Sequence, residues 1–192
     1  MTSYAFPDLD KLKLPLSNGK LFKILDKNVP DNIFSLLQEK FEFVLKNAVP
    51  DHCFKRESVP LESDNNSKEK YYQWYLQSEP DFLKWKYKDL DVLDDYFKQW
   101  VDEVYHFKLS LTPPETDIGW HSLHDLPRIH IPLSSEGCVF EILDTNQTIH
   151  SYQLEPKKMY MLNVCFPHRV KHQGTEIRKQ AFFSFKNLKS HV

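Results

Sequence analysis

The chain has 192 residues, 41% of them hydrophobic and 14% aromatic, enough to fill the core of one domain. A formal charge of −2 argues against a global basic field that would recruit nucleic acid or anionic lipid. No apolar run approaches the roughly 18 residues of a membrane span, and Met1 to Asp8 lacks the charged and apolar regions of a signal peptide. The expected location is therefore cytoplasmic. Four glycines leave no room for a glycine-rich phosphate cradle. Cys53, Cys138 and Cys165 are widely spaced and odd in number, which fits reduced thiols rather than a thiolate zinc site.

In chain order, Ile33, Leu36, Leu37, Phe41, Val44 and Leu45 recur at helical spacing and predict a helix over Asp31–Lys46, with Asp31 after Pro30 as its N-cap. Residues 62–70 are polar and read as a loop. An aromatic cluster follows, from Tyr71 to Tyr87, and reads as core. Leu90, Leu93, Phe97, Trp100, Val101 and Val104 predict a second helix over about Asp89–Tyr105.

After Tyr105 the period changes to two. Strands are predicted over Phe107–Thr112, Ile118–His121, Arg128–Leu133, Cys138–Leu143, Thr148–Leu154, Met159–Val164, His168–His172 and Arg178–Phe185, separated by turn-forming clusters. Eight short strands at this spacing suggest a mainly β fold with added α: a double-stranded β-helix, or cupin-like jelly roll, with the N-terminal helices padding one outer face. The expected organisation is a single domain over 1–192. Residues 1–105 form a helical or irregular elaboration and residues 106–187 the jelly-roll core.

Seven of the nine histidines fall between His106 and His172. In Arg128-Ile129-His130-Ile131-Pro132-Leu133, Arg128 and His130 share one face while Ile129, Ile131 and Leu133 share the other. An inward-facing arginine is costly without an anion, so the alternation points to a polar cavity that binds one. Arg178 and Gln180 repeat the pattern on the last strand, ten residues beyond His168. A planar guanidinium grips a carboxylate through two parallel charge-assisted bonds. Two arginines and a histidine beside a metal suit a ligand that chelates iron at one end and carries a carboxylate at the other, as 2-oxoglutarate does.

His121-to-Leu133, the Glu136-Gly137-Cys138 turn, Pro167-His168 and Arg178 together resemble the aspartyl/asparaginyl β-hydroxylase family over residues 106–187. The resemblance implies that His121 and His168 bind Fe(II), and that Arg128, His130 and Arg178 hold 2-oxoglutarate. It implies an Fe(II)/2-oxoglutarate-dependent dioxygenase using O2 to hydroxylate an amino-acid side chain, free or peptidyl, with decarboxylation of the oxoacid to succinate. His121, His168 and Arg178 are then the expected catalytic residues. The pattern departs at Leu123, where many such oxygenases place a carboxylate two residues after the first histidine. Asp125 is the nearby candidate. Four residues of strand span about 13 Å, so Asp125 reaches the same ion only if the chain turns at Ser122-Leu123-His124. A two-histidine site and a site completed by Asp125 both stand.

The expected partner is a small molecule or peptide substrate, with no nucleic acid and no membrane; the sequence carries no signal for oligomeric state. The alternative from another class is a non-catalytic cupin-like module that binds a metal or ligand without turnover.

Overall fold

The computed structural model describes residues 21–55, 70–77, 84–122, 127–134, 137–185 and 188–189. Eleven strands and two helices occur among them, in the order β1 Phe22–Asp26, α1 Asp31–Asn47, β2 His52–Lys55, β3 Lys70–Tyr75, α2 Asp91–Phe97, β4 Val104–Thr112, β5 Thr116–His121, β6 Arg128–Pro132, β7 Cys138–Leu143, β8 Ile149–Gln153, β9 Met159–Leu162, β10 His168–His172 and β11 Arg178–Phe185. They form two antiparallel sheets. The larger runs β1-β9-β6-β11-β4-β3-β2, the smaller β5-β10-β7-β8. From β4 onward the chain alternates between the sheets, with a single hairpin step from β7 to β8. This is a jelly roll, as the period-two pattern predicts.

Alternation along each strand divides the core in two. Ile129, Ile131, Ala181, Phe183, Leu109 and Leu111 point outward from the larger sheet and meet Ile33, Leu37, Phe41 and Val44 of α1 and Leu93 and Phe97 of α2. Phe183 packs between Phe97 and Phe107, with ring centroids at 4.4 Å and 5.5 Å; each buried ring of this kind contributes about 2–3 kcal/mol. Between the sheets, Ile118, Cys138, Phe140, Ile142, Tyr160, Leu162 and Val170 form a second cluster. The helices thus pad one outer face, as expected. Cys138 and Cys165 are buried, and neither forms a disulfide among the described residues. Among the described residues no helix is long and apolar enough to cross a membrane.

Three local expectations are corrected. The stretch before Phe107 is not only helical and irregular, because β1, β2 and β3 extend both edges of the larger sheet. The second helix stops at Phe97 instead of reaching Tyr105: Val101 bridges Leu188, and the chain is already strand at Val104. Pro30, not Asp31, occupies the N-cap of α1. Asp31 lies in the first turn, where it complements the helix dipole and pairs with Lys157.

Candidate functional site

A cavity of about 320 Å³ opens between the sheets. The wall that carries the two candidate metal ligands comes from the smaller sheet. His121, the last residue of β5, pairs directly across from His168, the first residue of β10. The register slips between them and the next pair, Val170 with Ile118. This bulge in β5 turns both Ile118 and His121 into the cavity, which strict alternation forbids for residues three apart. The two imidazole centroids are 4.0 Å apart. The Nδ1–H of His121 donates to the Gly119 carbonyl and that of His168 to the Phe166 carbonyl, each at 2.9 Å. A carbonyl oxygen can only accept, so Nδ1 carries a proton in both rings, which leaves Nε2 as the nitrogen through which the neutral ring would ligate a metal. Phe140 stacks on His168, with centroids 5.4 Å apart and planes within 13°, and fixes that ring.

The facing wall is cationic. Arg178 opens β11 opposite Thr112 of β4 and is only 5% exposed. Its one hydrogen bond among the described residues is a long 3.5 Å contact to Thr112 Oγ1, and no carboxylate there pairs with it. His130 on β6 is 6% exposed, clamped between the stacked ring of Phe182 and the edge of Phe140. Its Nδ1 is paired with the Gln180 amide nitrogen, while its buried Nε2 has no partner among the described residues. Arg128 holds its guanidinium carbon 5.0 Å from the Phe182 ring centre. Burial, then the nearby guanidinium charges of Arg128 and Arg178, hold the His130 pKa well below the usual histidine value, so this ring is neutral near pH 7. No aspartate or glutamate lines the cavity among the described residues.

The structure therefore brings five of the sequence-predicted residues, His121, His168, Arg128, His130 and Arg178, onto one cavity. Asp125, with Leu123 and His124, lies outside the described residues. Among the described residues no group of three histidine, cysteine, aspartate or glutamate side chains converges. Lys108, Ser110 and Gln73 also line the cavity and were not singled out from sequence. Lys108 is 7% exposed, with Nζ 4.4 Å from the Tyr75 ring centre. The signal for it is present in hindsight: Lys108, Ser110 and Thr112 alternate with Phe107, Leu109 and Leu111, which face the helices.

Several solved structures share this arrangement of strands. A Pseudomonas putida prolyl-4-hydroxylase superposes with a TM-score of 0.57 at 10% identity, covering 94% of this chain and all of the other. An oxidoreductase of the 2OG-Fe(II) oxygenase family from Burkholderia pseudomallei gives 0.54 at 8% identity, covering 78% of each chain. The non-heme alpha ketoglutarate dependent carbocyclase SnoK of nogalamycin biosynthesis gives 0.58 at 9% identity, covering 94% of this chain and 86% of the other. The chain shares the fold of these oxygenases. No family model matches it, and no curated protein sequence does. At such identities the likeness carries the fold, and chemistry has to be argued from the side chains.

Proposed function

We infer that this protein is an Fe(II)- and 2-oxoglutarate-dependent oxygenase that hydroxylates an amino-acid side chain, free or within a peptide, with aspartate or asparagine as first candidates. One juxtaposition carries the reading. Two histidines, each with Nδ1 held by a backbone carbonyl, stand with ring centroids 4.0 Å apart on one wall, and a buried arginine with no carboxylate partner among the described residues faces the same cavity. His121 and His168 would hold the metal, and Asp125 is the candidate third ligand. Arg178 would take the distal carboxylate of 2-oxoglutarate, with Arg128 and the His130 Nε2–H adding charge and a donor. The donor set fits this cofactor pair: neutral imidazoles for iron, guanidinium for a carboxylate.

When bound, the iron with 2-oxoglutarate and O2 supplies the oxidation of a substrate C–H bond, with loss of CO2 from the oxoacid. The chain's own residues do the rest. Phe140 and the carbonyls of Gly119 and Phe166 orient the ligand rings. Arg178 and His130 orient the oxoacid. Phe140, Val164, Val170 and Ile118 give the cavity an apolar lining that limits water. The decisive assay is succinate formation from 2-oxoglutarate that requires both Fe(II) and O2. His168→Ala should abolish both metal binding and turnover; succinate formation retained in that variant removes His168 from the site.

One observation favours the second reading, a binding module without turnover: the described residues supply two candidate metal ligands and no third. Metal and 2-oxoglutarate binding without succinate formation would establish it.

A further inference from the structure

Gln180 is buried on β11, two residues beyond Arg178 and on the same inward face. Its amide nitrogen donates to Nδ1 of His130. An amide N–H can only donate, so Nδ1 is an acceptor and the proton of this neutral ring sits on Nε2. That Nε2–H is buried and has no partner among the described residues. A buried donor left unmade keeps its full desolvation cost, and native proteins rarely tolerate this away from a ligand site. The ring cannot relieve the cost by swinging away, because Phe182 stacks on one face with planes within 18° and Phe140 meets it edge-on.

His130 therefore has the opposite tautomer to His121 and His168, whose protons are drawn to Nδ1 by backbone carbonyls. The difference matches the jobs. A metal ligand presents a lone pair; a group that greets an anion presents a proton. We propose that Gln180 is a positioning residue that holds His130 in the Nε2–H tautomer, so that a donor rather than an acceptor meets the carboxylate bound beside Arg178. Without the amide, the tautomer with a lone pair on Nε2 would be populated and would repel that carboxylate. The identity of the anion as 2-oxoglutarate rests on the oxygenase reading; the tautomer does not.

The test has two arms. The 15N NMR spectrum of the metal-free protein reports each imidazole nitrogen as protonated or bare, with the His130 signals assigned by their loss in His130→Phe. Expected are a bare Nδ1 and a protonated Nε2 in the wild type, and a proton moved to Nδ1 in Gln180→Glu, whose carboxylate can only accept. The second arm titrates 2-oxoglutarate into Zn(II)-loaded protein. Gln180→Met keeps the side-chain shape and removes the amide; it should weaken oxoacid binding about tenfold, the worth of one hydrogen bond to a charged group, and leave Zn(II) affinity unchanged. A wild-type His130 protonated on Nδ1, or a Gln180→Met protein that binds the oxoacid as tightly as wild type, overturns the assignment. If the wild type binds no 2-oxoglutarate yet shows the Nε2–H tautomer, the oxygenase reading fails and the positioning role stands.

Discussion

Arg178→Met should weaken oxoacid binding without lowering stability. In the folded chain the Arg178 guanidinium is 5% exposed, with one 3.5 Å hydrogen bond and no carboxylate partner among the described residues. A buried charge in that state costs free energy that no carboxylate among the described residues offsets. A bound carboxylate would supply two charge-assisted hydrogen bonds, together worth about 3 kcal/mol, or roughly a hundredfold in dissociation constant. Methionine fills similar space without charge. Titration of 2-oxoglutarate into Zn(II)-loaded Arg178→Met should therefore show affinity reduced about a hundredfold, with Zn(II) binding intact. Thermal unfolding of the ligand-free variant should show Tm unchanged or raised, at roughly 2–4 °C per kcal/mol for a chain of this size. Arg169→Met is the control, because Arg169 pairs with Glu141 and lies over Trp120 on the opposite face of β10; oxoacid binding should not change. Arg178→Met with a Tm lower by several degrees and oxoacid binding intact would mean that Arg178 is structural, and the anion site would be lost.

Two further outcomes follow from the packing and the charges. Gly137 has φ +67°, and a Cβ there would lie 2.5 Å from the Gly174 Cα and nearer still to its nitrogen; Gly137→Ala should cost about 2–4 kcal/mol in urea unfolding, and a loss under 1 kcal/mol would contradict that contact. His130 resists protonation in the folded chain, whereas an unfolded histidine takes a proton below about pH 6.5, so the unfolded state binds more protons in acid. Ligand-free stability should then fall from this group by up to about 1.4 kcal/mol per pH unit below 6.5. His130→Gln should flatten that limb; an unaltered acid profile in the variant would show that His130 protonates freely when folded.

The cationic half of the candidate site was legible because each piece lies within one strand. Parity alone put Arg128 and His130, then Arg178 and Gln180, on inward faces. The same counting could have reached Lys108, Ser110 and Thr112, but Lys108 reads as an ordinary surface lysine until a sheet covers it. The histidine half, proposed to hold the metal, was legible only through resemblance. Strict alternation puts Ile118 with Trp120 and against His121, and the bulge in β5 reverses this. A bulge is chosen by how one strand meets its neighbour, so no local pattern announces it.

The sequence by itself determined the eight strands of the jelly roll, the amphipathic face of α1 and the faces on which its charged residues stand. Each depends on a period of two or 3.6 that a few consecutive residues express. The tertiary structure decided what depends on residues far apart in the chain. It recruited β1, β2 and β3 to the sheet edges, where short strands rich in aromatic and polar residues gain their hydrogen bonds only from partners already in place. It ended α2 at Phe97, where the Val101 bridge to Leu188 outweighs helical propensity. It also set the imidazoles of His121 and His168 side by side across 47 residues of chain, because strand register is fixed by the whole ladder and not by either strand.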